Sequence, residues 1–371
     1  MEHSSLRLHA GYRCRHAGAC CTAGWAIPVE GTVHERLQLH FGTSHDRVLF
    51  ASGGAPPDGA AAVLATDPDG RCVFFEPARG NLCAIHRELG PAMLPGVCRQ
   101  FPRVVLRDGR GTRISLSHFC PTAAGLLTSP QPAAFDIVEA PTALGLDGMA
   151  EGLDARNVMP PLLEPKMLTD LEGYDAWERR AIALLGRADL SAAGALARIG
   201  VATGAVQRWR PGRSSLRETV EREFDVASSM KPDEDLDADG ASTAAVQARV
   251  DLALRSIPEG LAHPSASETF EADWQRVAPW WHQVDDVLRA YLAARLFGNW
   301  VAYYGQGLHV VVEYLQVALA VVKMEAAKGA TTPPSSPWQT VTAAIRNADL
   351  LLVHLSDPKA LAGLLGSSRR A

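Results

Sequence analysis

No cysteine lies beyond position 120 in this chain of 371 residues; all seven fall between Cys14 and Cys120. Lysine is scarce, with 5 against 31 arginines, and beside the abundant alanine this reads as codon bias with little functional content. A net charge of −5 leaves no overall positive field to draw the chain to nucleic acid. No apolar run is long enough for a membrane span. The most apolar, 308–324, is interrupted by His309, Glu313, Gln316 and Lys323 and falls short of the ~20 residues a span needs, so it reads as a buried helix. Residues 1–14 contain no apolar h-region, so no export signal is expected and the chain is assigned to the cytoplasm. Hydrophobic residues make up 47% and charged residues 21%, which excludes a mainly disordered or fibrous chain.

What is present is concentrated in the first third. Eight of the twelve histidines lie in residues 1–125, and that segment carries a net charge of +3 against −8 for the remainder. An odd number of cysteines without an export signal argues against a disulfide scaffold and for a metal site. The expected fold is α+β, mainly α. A small cysteine-rich metal-binding domain of short strands and loops (residues 1–125) precedes an all-helical domain (residues 126–371).

Arg71-Cys72-Val73-Phe74-Phe75 reads as a short strand. Val104-Val105-Leu106 and Ile114-Ser115-Leu116 flank Asp108-Gly109-Arg110-Gly111, a hairpin signal that would return Cys120 to the neighbourhood of Cys98. Helix is expected over 33–41 and, from the spacing of Leu171, Tyr174, Trp177 and Leu184-Leu185, over 170–186. Further helices are expected at 191–200, 214–226, 241–257, 268–283, 284–326, 338–348 and 357–366. Gly298, Gly305 and Gly307 divide the longest of these into two. Linkers are expected at 52–60, 129–134, 228–243 and 329–337.

The cysteines are spaced Cys14-x5-Cys20-Cys21, then Cys72-x10-Cys83-x14-Cys98-x21-Cys120. Thiolates take zinc or iron–sulfur clusters, and four of them close a tetrahedral zinc site or hold one cubane. Seven exceed that need, so a pair of clusters, one cluster with a free thiol, or some buried non-ligating thiols all stand open. Side chains of adjacent residues diverge in an extended segment, so Cys20 and Cys21 are not expected to share one ion. His86 and His118 stand beside Cys83 and Cys120 as further ligands or hydrogen-bond donors to sulfur. Arg99 and Arg103 suit an anionic cluster or a carboxylate. Pro95 and Pro102 restrict the loop around Cys98.

Cys20-Cys21-Thr22-Ala23-Gly24-Trp25, Asn81-Leu82-Cys83-Ala84-Ile85, Cys98-Arg99-Gln100-Phe101-Pro102-Arg103 and Ser115-Leu116-Ser117-His118-Phe119-Cys120-Pro121 resemble, in order and rough spacing, the flagellin lysine-N-methylases. These fall in a wider class of zinc- or iron-chelating cysteine-cluster proteins. The resemblance covers residues 12–125 and is weaker in the helical remainder, at Tyr174-Asp175-Ala176-Trp177-Glu178, Tyr291-Leu292 and 346–354. It implies an iron–sulfur cluster, [4Fe-4S], held by cysteines among these seven. It also implies methyl transfer from S-adenosylmethionine to lysines of flagellin or a flagellin-like protein. Zinc bound for structure, metal handling or redox sensing is the alternative. One departure bears on the metal: Ala17 stands where the wider class often has its second cysteine, beside His16.

The chain has no strand, glycine-rich turn and helix of the kind that commonly holds S-adenosylmethionine. Ile199-Gly200-Val201-Ala202-Thr203-Gly204 has a helical context instead. The donor is therefore expected at the junction of the two domains. Aromatics from Trp274 and Trp280-Trp281 to Trp300, Tyr303 and Tyr304 would cover the substrate side, with Glu313 or Asp285-Asp286 attracting the lysine. Core packing is the readier role for these aromatics. A stretch over 195–209 resembles a DNA-binding helix-turn-helix but is one residue short of that pattern.

Overall fold

The expected hairpin is the spine of the fold. In the computed structural model, which describes residues 3–42, 49–51, 56–57, 59–128, 132–140, 151–230, 242–259, 269–330 and 336–368, the chain pairs Arg103–Asp108 with Gly111–Leu116 in antiparallel register, Arg103 opposite Leu116. Gly111 closes the turn at φ +111°, a conformation that favours glycine. The Asp108 carboxylate accepts from the Arg110 backbone N–H at 2.8 Å and pairs with its guanidinium at 2.7 Å.

The sheet has five strands: β1 (His3–Leu6), β2 (Arg103–Asp108), β3 (Gly111–Leu116), β4 (Ile137–Glu139) and β5 (Glu151–Asp154), in the order β4-β1-β3-β2-β5. β1 runs parallel to β3 and antiparallel to β4, and β5 runs parallel to β2. The sheet thus takes strands from both sides of position 125, and the segment after 126, expected as helix alone, contributes two of them. Their physical role is to cover the edges that the hairpin and β1 would leave open. Six of the seven cysteines lie between β1 and β2; Cys120 alone follows β3.

The rest is mainly helical, and the fold class is α+β, mainly α. Helices run over Leu171–Leu185, Ala192–Val206, Leu216–Ser229, Thr243–Arg255, Phe270–Val277, Asp285–Leu296, His309–Gly329, Pro337–Asp349 and Pro358–Ser368. Their starts are written in the sequence: Asp170 and Ser191 cap the first two, and Ser215 with Glu218 forms a capping box on the third. The split expected within 284–326 occurs where Gly298, Gly305 and Gly307 all have positive φ. Helix His309–Gly329 is buried over most of its length, and among the described residues no helix is long and apolar enough to cross a membrane. The linkers expected at 52–60, 129–134, 228–243 and 329–337 fall wholly or partly outside the described residues.

Two cores result. The larger joins Leu6 and Leu106 of the sheet to the helices around Tyr174, Trp177 and Tyr291. The smaller gathers Cys21, Ile27, Val29, Leu37, Cys72, Phe74 and Ile85 inside the segment between β1 and β2. The helix Gly31–Phe41 belongs to it through Val33 and Leu37.

Between sheet and helices lies a buried polar chain. Asp349 accepts from the Tyr291 hydroxyl at 2.9 Å and from His118 Nδ1 at 3.1 Å; His118 Nε2 faces His9 Nε2 at 3.2 Å. Burial holds both imidazoles below their ordinary range, so they stay neutral. As pH falls through about 6.5, the unfolded chain takes up protons that the folded chain refuses, and stability drops toward the folded-state values. Each histidine contributes up to about 1.4 kcal/mol per pH unit in that window. Denaturation curves between about pH 7.5 and 5.5 measure the slope, and His9→Leu is expected to flatten it. An unchanged slope in that variant would remove His9 from the account.

Candidate metal centre

Each cysteine except the adjacent pair arrives on its own piece of backbone. Gly18, at φ +76°, opens a short 3-10 turn, Ala19–Cys21, and a Cβ there would stand 2.7 Å from the Phe75 ring. The backbone N–H of Cys72 donates to the Cys21 carbonyl at 2.8 Å. Cys83 ends a two-residue strand opposite Phe75 and leads into the short helix Ala84–Leu89. Cys98 sits on the short helix Gly96–Gln100, whose first N–H donates to the Glu30 carboxylate at 2.8 Å. Cys120 caps the helix Pro121–Gly125 and lies 3.7 Å from the Tyr12 hydroxyl.

All seven, Cys14, Cys20, Cys21, Cys72, Cys83, Cys98 and Cys120, line one cavity of about 220 Å³. The hairpin does return Cys120 to the cavity that holds Cys98. Cys14 is exposed, and its sulfur accepts the His16 backbone N–H at 3.4 Å. The expectation that Cys20 and Cys21 diverge is overturned: both face the cavity, with sulfurs 3.9 Å apart. The helical turn set by Gly18, replacing the extended backbone assumed, rotates them to the same side.

The sulfurs differ in proton affinity. The Cys21 thiol hydrogen-bonds to Cys20 and Cys83, which lowers the first and brings the second down to about 7, while Cys21 itself is pushed up. Burial pushes Cys72 up to about 12 and Cys98 well above the ordinary thiol range. The cavity therefore pairs thiolate-prone sulfurs with thiols that keep their protons at neutral pH.

The neighbouring histidines separate. His86 lines the cavity and lies 5.1 Å, ring to ring, from His16. His118 has both ring nitrogens engaged, by Asp349 and His9, and does not line it. Arg99 and Arg103 both line it. Among the described residues no three His, Cys, Asp or Glu side chains stand as a ready-made shell for one metal ion.

The aromatic and acidic residues of 274–313 expected on a substrate side do not line the cysteine cavity. Trp281 and Tyr303 are buried in the large core, and Trp274, Trp280, Trp300 and Tyr304 pack against it. Asp285 accepts from the Ala192 backbone N–H at 2.8 Å, so it helps start a helix. Asp286 pairs with Arg289, and Glu313 lies on the buried helix His309–Gly329. The stretch resembling a helix-turn-helix is one unbroken helix, Ala192–Val206, with Arg198 fully buried. Aromatics that border the cysteines include Tyr12, Trp25, Phe101 and, from the far end of the chain, His354. Trp25 was visible in the Cys20–Trp25 motif. His354 ends the stretch 346–354 that carries the weaker resemblance; a π-helical turn, Leu350–Leu355, delivers it to the cavity.

No protein-family model, curated protein or solved structure matches this chain.

Proposed function

We propose that this chain holds an iron–sulfur cluster in the seven-cysteine cavity and acts as a lysine N-methyltransferase on flagellin or a flagellin-like protein, with S-adenosylmethionine as donor. The observation that carries the cluster is the convergence of all seven cysteines on one cavity. The donor set is wholly soft, as iron–sulfur centres require. A cavity admits one water at about 10–15 Å³, so about 220 Å³ leaves room for a centre of several atoms. When bound, such a cluster supplies electron transfer and iron coordination positions. The methyl-transfer part rests on the resemblance of residues 12–125.

The chain's own task in that reaction is to bind and to dry the site. Transfer breaks the donor's S–CH₃ bond and forms N–CH₃, and the amine must lose its proton to present a lone pair. Phe101 and Trp25 supply the apolar surface beside Cys20 and Cys98.

Zinc is the second reading, favoured by one distance. The Cys20 and Cys21 sulfurs are 3.9 Å apart, beside about 3.8 Å for the edge of a tetrahedron with Zn–S bonds of about 2.3 Å. Anaerobically purified protein should be brown, with iron, acid-labile sulfide and broad absorbance at roughly 400 nm. A colourless protein with stoichiometric zinc would reject the cluster. With labelled S-adenosylmethionine and flagellin, label should appear on flagellin lysines. Holo-protein that shows no saturable binding of S-adenosylmethionine would end the methylase reading and leave metal binding as the function.

A further inference from the structure

Beside the cysteine cavity lies a second one of about 320 Å³, and the two share a wall of Cys20, Cys98, Phe101 and Arg103. Trp25 and His354 line the second cavity alone. The Trp25 ring stands 4.5 Å from His354, 5.4 Å from Phe119 and 5.6 Å from Phe101, tilted or edge-on to all three, so none of them stacks on the indole face. The Ser117 hydroxyl bonds His354 Nε2 at 2.7 Å and fixes that ring.

Arg103 is half-buried and has no carboxylate partner among the described residues. Its guanidinium lies 5.7 Å from the centre of the Tyr12 ring. Buried arginines elsewhere are neutralised or capped: Arg110 by Asp108 and Glu178, Arg295 by the Leu116 carbonyl. Arg103 faces the cavity with no carboxylate on it among the described residues, and the planar guanidinium matches a carboxylate. A volume of about 320 Å³ falls in the range of small-molecule sites.

We propose that this second cavity binds a small molecule bearing a flat aromatic ring and a carboxylate, its carboxylate on Arg103 and its ring against Trp25, with Cys20 and Cys98 forming the wall toward the metal site. The identity of the first probe rests on the methyl-donor reading, since S-adenosylhomocysteine carries both groups and no transferable methyl. Indole-3-acetate carries both groups and owes nothing to that reading.

Calorimetric titration of the full-length holo-protein with each probe, beside iron content and thermal midpoint, tests the assignment. Trp25→Leu and Arg103→Met should each weaken S-adenosylhomocysteine at least about tenfold, the loss of a charged hydrogen bond or a ring contact, at unchanged iron. Equal affinity in both variants overturns the cavity and leaves the methylase reading standing. If S-adenosylhomocysteine fails but indole-3-acetate binds in an Arg103-dependent way, the cavity stands and the methyl-donor reading falls. Binding of neither probe overturns both. Should Arg103→Met lose iron, that arginine serves the cluster, and Trp25→Leu decides alone: undiminished affinity there overturns the proposal.

Discussion

Cys98→Ser and Cys83→Ser are each expected to abolish retention of iron and sulfide and to loosen the segment between β1 and β2. Both sulfurs line the cavity; Cys98 sits on a short helix, Cys83 immediately precedes one, and both helix starts are fixed. Glu30 holds the first N–H of the Cys98 helix, and the Phe74 carbonyl accepts the N–H of Ala84 at 2.8 Å. A serine hydroxyl is a poor substitute for thiolate toward soft metal. Binding energy at a structural metal site is also folding energy, about 10–16 kcal/mol in small zinc domains. The small core of this segment includes Cys21 and Cys72 themselves, so metal loss should show as faster proteolysis within residues 7–102. Cys14→Ser serves as the contrast: its sulfur is exposed, its companion position is Ala17, and most of the metal should remain. Full iron occupancy in Cys98→Ser would show the ligand set to be wrong.

Asp349→Ala should destabilise the whole protein by about 3–5 kcal/mol, the usual cost of removing one partner from a buried charged group. Asp349 is fully buried, and it accepts from Tyr291, from the His118 ring and from the His118 backbone N–H at 2.5 Å. Arg295, also buried, lies 3.6 Å from the same carboxylate. Despite its burial, these donors hold the carboxyl down to about 2, so it stays ionised and its contribution is lost only as pH falls from about 4 toward that value. Asp349→Asn keeps some hydrogen bonds and loses the charge, so it should fall between wild type and Asp349→Ala. Urea curves at neutral pH give the comparison; a loss below about 1 kcal/mol for the alanine variant would mean the network carries no more than one ordinary hydrogen bond.

Local patterns carried much of the fold. The Asp108-Gly109-Arg110-Gly111 turn, the capping residues Asp170, Ser191 and Ser215, and the glycines at 298, 305 and 307 all act within a few residues of themselves. The gathering of the cysteines was legible because their confinement to one third of the chain is a property of composition. What was hidden depends on distant partners or on a single dihedral. The turn at Gly18 that swings Cys20 and Cys21 to one side is of the second kind. The placement of β4 against β1, and of His354 against Trp25, is of the first. The aromatics of residues 274–304 were ambiguous because a ring that packs a core and a ring that lines a cleft read alike in sequence.

The position of the cysteines relative to the strands has a consequence for loading. Six thiols are carried on a loop that leaves the sheet at β1 and rejoins it at β2, while Cys120 is mounted beyond β3, on the sheet side. Both ends of that loop are pinned, so the chain entropy of closing it is met by strand pairing before any metal arrives. Under the proposed reading, a bound metal would act as a clasp between a suspended segment and a fixed frame. Opening the clasp should release one cooperative unit and leave the helices and their sheet intact. The same protein could pass repeatedly between empty and filled forms without refolding from the beginning.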